Sequence, residues 1–257
     1  MQAPSQANLR GRGLPHGGLT RRLASLLLGI LVAAQLTSCQ PGSPLSFAPP
    51  SSRVLFIGNS FTFYNGGVDQ EVRGLDPSIE VKQLAVGGYS LKDHWDGGQA
   101  ISTIRSEKWN HGVLQEQSQA PVTGPTNFLA YAAKLNGEIR ADGAQTVLFM
   151  TWQRPDSIQY GVTTQNLANT YYRAGNQLGA RVAPVGLAFA RALQQKPTLA
   201  LNIQDGHPTP QGTYLAACVL YATIFQKTPV GIPYAPSGVS ADERNFLQKV
   251  AAEIMGY

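Results

Sequence analysis

A scarcity of cysteine and of charge is the first informative feature of this 257-residue sequence. Cysteine occurs only as Cys39 and Cys218, which is too few for a disulfide framework and lacks the paired spacing of a zinc site. Charged residues make up 14% of the chain. Residues 1–38 hold four of the 20 basic residues and none of the 15 acidic ones, so the remainder is nearly neutral. Because no basic face remains, we predict no binding to nucleic acid.

The amino-terminal segment also lacks an apolar run long enough to span a bilayer comfortably, because the run at residues 23–34 is short. Arginines precede this run, as in an export signal. The letters LTSC that end at Cys39 resemble the lipobox of bacterial lipoproteins, in which the cysteine becomes the lipidated first residue. The resemblance implies that residues 1–38 are a lipoprotein signal peptide and that Cys39 anchors the protein to a membrane. An ordinary secretory signal that happens to contain a cysteine is the alternative.

A lipid anchor predicts an exported protein held in the bacterial cell envelope. Gln40 follows the cysteine, whereas an aspartate there is associated with retention in the inner membrane, so we expect the outer membrane in a cell with two membranes. Residues 39–52 are rich in proline and serine and are predicted to form an extended tether. Residues 53–257 are predicted to form one globular domain, long enough to bury a core without disulfides.

Short apolar runs alternate along this domain with segments of helical periodicity. The predicted strands are VLFIG, IEVKQLA, GVLQEQ, QTVLFMTW and residues 180–185. The predicted helices are residues 68–75, 128–139 and 167–178, a helix after Thr209-Pro210, and a helix after Ser240, where Glu243 completes a capping box. This alternation predicts an α/β fold in which helices cover both faces of a parallel sheet. In such sheets the functional residues gather at the carboxyl ends of the strands.

Ser60 is the candidate nucleophile. It follows the VLFIG strand directly, where an α/β sheet would display a reactive hydroxyl, and Gly58 and Asn59 tolerate a sharp turn. The surrounding letters are not the Gly-x-Ser-x-Gly motif of the α/β-hydrolases. A turn in which Asn59 or Ser60 merely caps the next helix is the alternative.

His207 is the candidate base for this serine. Pro208 favours an extended backbone at His207, and Asp205 is close enough in sequence to orient the imidazole and stabilise its cation. The alternative is an Asp-Gly turn followed by a surface histidine. His94 and His111 could each be a structural hydrogen-bonder instead. His111 precedes a strand and does not follow one, so we predict that it is a bystander.

Acyl transfer also requires donors for the oxyanion that forms during attack. Gly87 and Gly88 follow the second predicted strand and could present a backbone N–H without a side chain in the way. The letters LQEQS at positions 114–118 place two carboxamides and a carboxylate at the end of the third strand. Polar groups crowded there are costly to bury without partners, although the loop could simply begin early.

The segments LFIGNSFT, GGYSL with His94, VLQEQS and HPTPQGTYLAA, in this order, resemble the four blocks of the SGNH (GDSL-like) hydrolases. More narrowly, they resemble a branch of secreted bacterial proteins that are often described only as domains of unknown function. The resemblance covers nearly all of residues 53–226. It implies a flavodoxin-like, three-layer α/β/α fold and hydrolysis of esters by a serine, without a metal or other cofactor.

The resemblance also implies a role for each site residue. Ser60 would be the nucleophile and would donate its backbone N–H to the oxyanion. Gly88 would donate the second N–H, with Gly87 as the competitor. His207 would be the base, oriented by Asp205.

Two departures from the family pattern bear on these roles. The family places its aspartate three residues before the histidine, whereas Asp205 is two before it, so a backbone carbonyl is the alternative for orienting His207. The family's third oxyanion donor is an asparagine, and the closest match here is Gln117, with Gln115 as the alternative.

Other residues at strand ends are candidates for contacting the substrate. They are His94, Gln115, Trp152 and Arg154. Aromatic and carboxamide groups would suit the face and hydroxyls of a sugar, although a tryptophan that closes the end of the core is an equally good interpretation of Trp152.

The sequence therefore predicts an SGNH-type serine esterase that removes a small acyl group, such as acetyl, from a carbohydrate. A lipase or thioesterase on the same scaffold is one alternative. A non-catalytic lipoprotein that binds a glycan is the other, and the shifted position of Asp205 keeps it open. The oligomeric state is not predicted.

Overall fold

Five parallel strands form the centre of the computed structural model, which describes residues 51–257. The predicted signal peptide, the predicted lipidation site at Cys39 and most of the tether lie outside the described residues. The strands are β1 (Arg53–Gly58), β2 (Glu80–Ala85), β3 (His111–Leu114), β4 (Gln145–Phe149) and β5 (Arg181–Ala183). Their order is β2-β1-β3-β4-β5, and every neighbouring pair is parallel. The predicted parallel sheet is confirmed.

Helices cover both faces of this sheet. They are α1 (Ser60–Phe63), α2 (Val68–Leu75), α3 (Leu91–Asp96), α4 (Gln99–Ser106), α5 (Ala120–Thr123), α6 (Pro125–Ala141), α7 (Thr164–Leu178), α8 (Val185–Gln195), α9 (Pro210–Phe225) and α10 (Ala241–Met255). None of those within residues 51–257 is long and apolar enough to cross a bilayer.

Two separate hydrophobic cores, one on each face, make the three layers. Val54 and Phe56 of β1 point into the core shared with α2, α8, α9 and α10. Leu55 and Ile57 point into the other, shared with α3, α4, α6 and α7. Because alternate residues of each strand enter opposite cores, β1 must be apolar throughout, as its sequence is. The predicted α/β/α sandwich is confirmed.

The last two helices, α9 and α10, begin as the sequence predicts. Thr209 caps α9, with Pro210 in its first turn, and Ser240 and Glu243 form the capping box of α10. α9 is buried on all sides from Gly212 to Ile224, so it is not an amphipathic surface helix. It packs against α2, α8 and α10, so even its polar residues lie in the interior.

Strand ends differ from the sequence prediction where polar loops begin. The third strand was expected to include Gln115 to Gln117 but ends at Leu114, and the fourth was expected to reach Trp152 but ends at Phe149. Sequence patterns also missed α3, α4 and α8, which are short or follow a strand without a clear break.

The order of strands reverses between β1 and β3, so a crevice is expected beyond their carboxyl ends. Ser60 and the LQEQS segment both lie there.

Candidate active site

The turn after β1 exposes Ser60 at the start of α1. Asn59 is the residue that caps this helix, since its side-chain Oδ1 accepts from the N–H of Phe61 at 3.2 Å. Ser60 therefore does not serve as the cap, and its hydroxyl is available for another partner. Gly58 precedes the turn, where a Cβ would collide with the side chains of Thr62 and Gln115, so the close approach requires glycine.

Gln115 holds this turn from beneath. Its Oε1 accepts from the N–H of Asn59 at 2.9 Å and from the hydroxyl of Thr62 at 2.8 Å, and its Nε2 donates to Asn59 Oδ1 at 3.0 Å. The side chain is 0% exposed. The expectations that Gln115 contacts the substrate or completes the oxyanion hole are therefore wrong, because both ends of its amide are already bonded inside the protein.

His94 is a second internal support. The expectation of a substrate contact is wrong for His94, and the alternative of a structural hydrogen-bonder is confirmed. It is buried, and its Nε2 donates to the carbonyl of Gly58 at 2.7 Å, which fixes the end of β1. Burial lowers the pKa of His94, so the ring is held in its neutral form.

Two backbone N–H groups near Ser60 are candidate donors to an oxyanion. Neither the N–H of Ser60 nor that of Gly88 has an acceptor among the described residues. Gly88 has φ +77 in the turn closed by the N–H of Tyr89 and the carbonyl of Val86, a conformation that favours glycine. Ser60 and Gly88 line the same cavity and Gly87 does not, so the geometry favours Gly88 over Gly87.

Gln117 contributes a carboxamide to the same cavity. Its Oε1 accepts from the N–H groups of Gln119 (2.9 Å) and Ala120 (3.1 Å), which begins α5 and fixes the orientation of the amide. Its Nε2 has one long contact, 3.4 Å to the hydroxyl of Ser118. This donor is free to bind an oxyanion, unlike that of Gln115.

His207 lies against the candidate nucleophile. Its Nε2 is 2.8 Å from the Oγ of Ser60, a distance at which the hydroxyl donates to an unprotonated ring nitrogen. The pair comes from the loops that follow β1 and precede α9, which are far apart in sequence. The structure therefore brings together the two residues that the sequence analysis singled out.

Asp205 lies close to the other side of this imidazole but is poorly aligned with it. Its Oδ1 is 3.0 Å from His207 Nδ1 and also accepts from the backbone N–H of His207 at 3.0 Å. Nδ1 nevertheless has no hydrogen-bond partner of good geometry among the described residues, neither this carboxylate nor a backbone carbonyl. Asp205 is also 59% exposed at its side chain. The backbone N–H of His207 lowers the pKa of Asp205, which keeps it ionised.

Trp152 closes the core and does not contact the cavity. It is 1% exposed and stacks between Phe61 and Phe189, at ring distances of 4.5 Å and 4.3 Å. Its indole N–H donates to the carbonyl of Gly206, next to His207, at 3.0 Å. The expectation of a substrate contact is wrong for Trp152, and the interpretation as a core residue is confirmed.

Arg154, by contrast, lines the cavity as expected of a substrate contact. Its guanidinium pairs with Asp156 at 3.0 Å and reaches to 3.5 Å from the hydroxyl of Ser118. It is the one cation among the residues that line this cavity of about 220 Å³. A larger cavity of about 430 Å³ lies at the other end of the strands, where β4 and β5 begin. Its lining includes no serine, cysteine or histidine.

Glu116 is a buried acid whose role the sequence analysis missed. It is 2% exposed, and its Oε1 accepts from the N–H of Gln117 at 2.6 Å and from that of Leu91 at 3.2 Å. It thus joins the loop of Gln117 to the helix that follows Gly88. Burial raises the pKa of Glu116 to about 7. Its position between two carboxamides in LQEQS was the available signal.

Comparisons with known proteins fit this geometry. No family model and no curated protein matches the chain. A solved structure from Slackia heliotrinireducens, assigned to the SGNH hydrolases, is 30% identical over 67% of this chain and 98% of that one, with a TM-score of 0.60. A DUF4886 family protein from Bacteroides uniformis is 19% identical over 80% and 95% of the two chains, with a TM-score of 0.67. An acetyl-xylooligosaccharide esterase from Geobacillus is 14% identical over 73% and 97%, with a TM-score of 0.50.

The sheet order, the serine at the end of β1 and these neighbours together place the chain among the SGNH-type α/β/α folds. The chain belongs to the SGNH (GDSL-like) hydrolase superfamily, as the similarity to the Slackia protein shows, and the resemblance seen in its sequence is confirmed. The matches of lower identity support the fold alone. Within residues 51–257 no three histidine, cysteine, aspartate or glutamate side chains are grouped as metal ligands.

Proposed function

We propose that this protein is a serine esterase that removes a small acyl group, acetyl in the simplest case, from a carbohydrate of the cell envelope. The observation that carries the proposal is the distance of 2.8 Å between Ser60 Oγ and His207 Nε2 at the wall of a cavity. The cavity also presents the N–H groups of Ser60 and Gly88, and the carboxamide of Gln117, to the place where an oxyanion would form.

The proposed reaction has two halves. Ser60 Oγ attacks the ester carbonyl while His207 Nε2 takes its proton, and the Ser60 and Gly88 N–H groups with Gln117 Nε2 stabilise the tetrahedral oxyanion. The intermediate collapses, the imidazolium donates its proton to the departing alcohol oxygen, and an acyl-serine remains. His207 then deprotonates a water that attacks the acyl-serine, and the imidazolium returns this proton to Ser60 Oγ as the second tetrahedral intermediate collapses to the carboxylic acid.

The size and lining of the cavity support a small acyl group. Its volume of about 220 Å³ is below the roughly 300 Å³ at which pockets for drug-sized ligands begin. Gln117, Ser118 and Arg154 offer hydrogen bonds to an alcohol with several hydroxyl groups. A lipase or thioesterase would require an apolar cleft beside Ser60 for a long chain. The fold is shared with an acetyl-xylooligosaccharide esterase, which is compatible with a sugar ester as substrate.

The cell-envelope location in the proposal rests on the sequence alone. The lipobox-like letters before Cys39 and the tether that follows would hold the catalytic domain close to a membrane surface. Mass spectrometry of the protein purified from membranes would detect a lipid on Cys39, and a soluble protein with an unmodified Cys39 would refute the anchor.

The test of the proposed chemistry uses the purified full-length chain in mild detergent and p-nitrophenyl esters from acetate to octanoate. We expect the highest kcat/KM with acetate. Ser60→Ala and His207→Ala should each lower kcat by more than about 10⁴-fold, as in other enzymes that lose a member of such a unit. Ser102→Ala, at an exposed serine of α4, is the matched control and should match the wild type.

The outcomes separate the alternatives. Activity that persists in Ser60→Ala would refute the nucleophile, and a rate that rises toward octanoate would favour the lipase or thioesterase. A wild type that hydrolyses no ester, yet binds acetylated oligosaccharides as well as Ser60→Ala does, would favour a glycan-binding protein. Release of acetate from acetylated oligosaccharides by the wild type alone would support the proposed substrate class.

A further inference from the structure

The ring of Tyr64 stacks on the imidazole of His207, and no role in the site follows from the sequence for this tyrosine. The two ring centres are 4.5 Å apart and the planes differ by 21°. Phe61 contacts the same imidazole with its edge, at 5.5 Å and 66°. His207 therefore lies between two aromatic rings from α1 and the turn that follows it.

The stack with Tyr64 matters because the hydrogen bond that usually orients a catalytic histidine is poorly formed at His207. A catalytic histidine is normally held by a carboxylate bonded to Nδ1, which fixes the ring and its tautomer. Asp205 Oδ1 lies 3.0 Å from His207 Nδ1, but it is too poorly aligned for a good hydrogen bond, and the Asp205 side chain is 59% exposed. Other contacts must therefore help to orient the imidazole, and the stacked ring of Tyr64 is one of them.

Ser60 begins the short helix α1, and Tyr64 is the residue that ends it. Tyr64 is four residues after Ser60, and its N–H donates to the carbonyl of Ser60 at the end of α1. Positions four apart lie on the same side of a helix. The nucleophile and the ring that faces its base are consequently fixed to each other by one turn of backbone.

Asn65 ties this helix end to the loop that carries His207. It adopts a left-handed conformation, φ 53 and ψ 34, and its Nδ2 donates to the carbonyl of Pro208 at 2.8 Å and to the hydroxyl of Thr213 at 2.9 Å. The bond to Pro208 fixes the residue after His207. Tyr64 and Asn65 thus hold the ring and the backbone of the base at the same time.

We propose that Tyr64 is a positioning residue that sets the orientation of His207 toward Ser60, in place of a carboxylate on Nδ1. This inference rests on the proposed function for its kinetic consequence, because an esterase requires the base in line with the nucleophile. It predicts that full activity requires the aromatic ring of Tyr64 but not its phenol hydroxyl.

The kinetic test compares Tyr64→Ala, Tyr64→Leu and Tyr64→Phe in the full-length chain, with p-nitrophenyl acetate as substrate. We expect kcat to fall by about ten- to a hundredfold in the Ala and Leu variants, since a misplaced catalytic group costs that much. KM should stay within about twofold, because so small an ester does not depend on Tyr64 for binding. Tyr64→Phe should keep kcat within about threefold, and Tyr172→Ala, at an exposed tyrosine of α7, should match the wild type.

A second measurement does not depend on activity. In protein labelled with ¹³C at its histidine rings, the His207 signal, assigned with His207→Gln, should show a ring-current shift. The shift should be lost in Tyr64→Ala and Tyr64→Leu and kept in Tyr64→Phe. If the wild type hydrolyses no ester, this signal still tests the stacking on which the inference rests, and its absence in the wild type would overturn the inference. An unchanged His207 signal in Tyr64→Leu, an unchanged kcat there in an active protein, or a Tyr64→Phe variant as impaired as Tyr64→Leu would overturn it.

Discussion

The turn that carries Ser60 and the loop that carries His207 meet at one cavity, but different forces hold them. Buried hydrogen bonds from Gln115 and His94 fix the nucleophile turn on all sides. The loop of His207 is more exposed and relies on an aromatic stack, on the indole bond to Gly206 and on the amide of Asn65. We therefore expect the turn of Ser60 to lose stability when one buried polar group is removed. We expect the loop of His207 to lose its orientation when an aromatic ring is removed.

Gln115→Ala tests the hydrogen bonds that hold the turn of Ser60 and should have the largest effect on stability. It leaves the buried N–H of Asn59 and the hydroxyl of Thr62 without their acceptor, and each such loss costs about 1–3 kcal/mol. We expect the free energy of unfolding to fall by roughly 4 kcal/mol, seen as a drop in Tm on the order of 10 °C, together with loss of activity.

Gln117→Ala is the matched control for this change, because it removes the same residue type two positions later. Gln117 lines the cavity and begins α5, so its loss should cost about 1 kcal/mol of stability while kcat falls about 10²-fold. Equal stability losses in the two variants would show that Gln115 does not hold the turn as we describe.

Glu116→Gln tests the buried acid and should have an intermediate effect that depends on pH. The pKa of Glu116 is raised from 4.5 in the unfolded chain to about 7, so the folded state prefers the protonated form. Its contribution is most favourable below about pH 4.5 and is lost as pH rises to about 7. The Oε1 of glutamine can accept from the same two N–H groups and does not titrate. The variant should gain stability over the wild type across this window, on the order of 3 kcal/mol.

Urea unfolding at several pH values measures this gain. The control is Glu138→Gln, because Arg105 lowers the pKa of Glu138 and its loss should bring no gain as pH rises. A stability difference between Glu116→Gln and the wild type that does not change with pH would contradict the burial of an ionisable carboxyl at this position.

Asp205→Asn tests the loop of His207 and should cause the smallest change among these variants. The amide oxygen can still accept from the backbone N–H of His207, and the lost charge is exposed and misaligned with Nδ1. We expect kcat/KM for p-nitrophenyl acetate to fall less than about tenfold. A loss near 10⁴-fold, as when a buried carboxylate of a Ser-His-Asp triad is replaced, would identify Asp205 as the orienting group.

Sequence patterns were most informative where apolar periodicity dominates. The alternation of strands and helices predicted the layers, and the ends of α9 and α10 followed from their capping residues. The least successful predictions concern polar or aromatic side chains at strand ends. His94, Gln115 and Trp152 were assigned to the substrate, yet each contacts the backbone or side chains that support the two candidate catalytic residues. One strand-end position can face the core or the cavity, and residue type alone does not distinguish these environments.

Local features of the sequence were enough to predict the parallel α/β sheet, the superfamily and the candidates Ser60 and His207, because apolar runs and short motifs lie within single segments. The packing of distant segments sets which neighbours of these residues face the cavity and which lie beneath it. It separated Gln117 from Gln115 and moved Trp152 into the core. It also placed Tyr64 against His207, a contact between residues far apart in the chain. Such contacts depend on how distant loops pack at the edge of the sheet, and no periodicity within either loop encodes that packing.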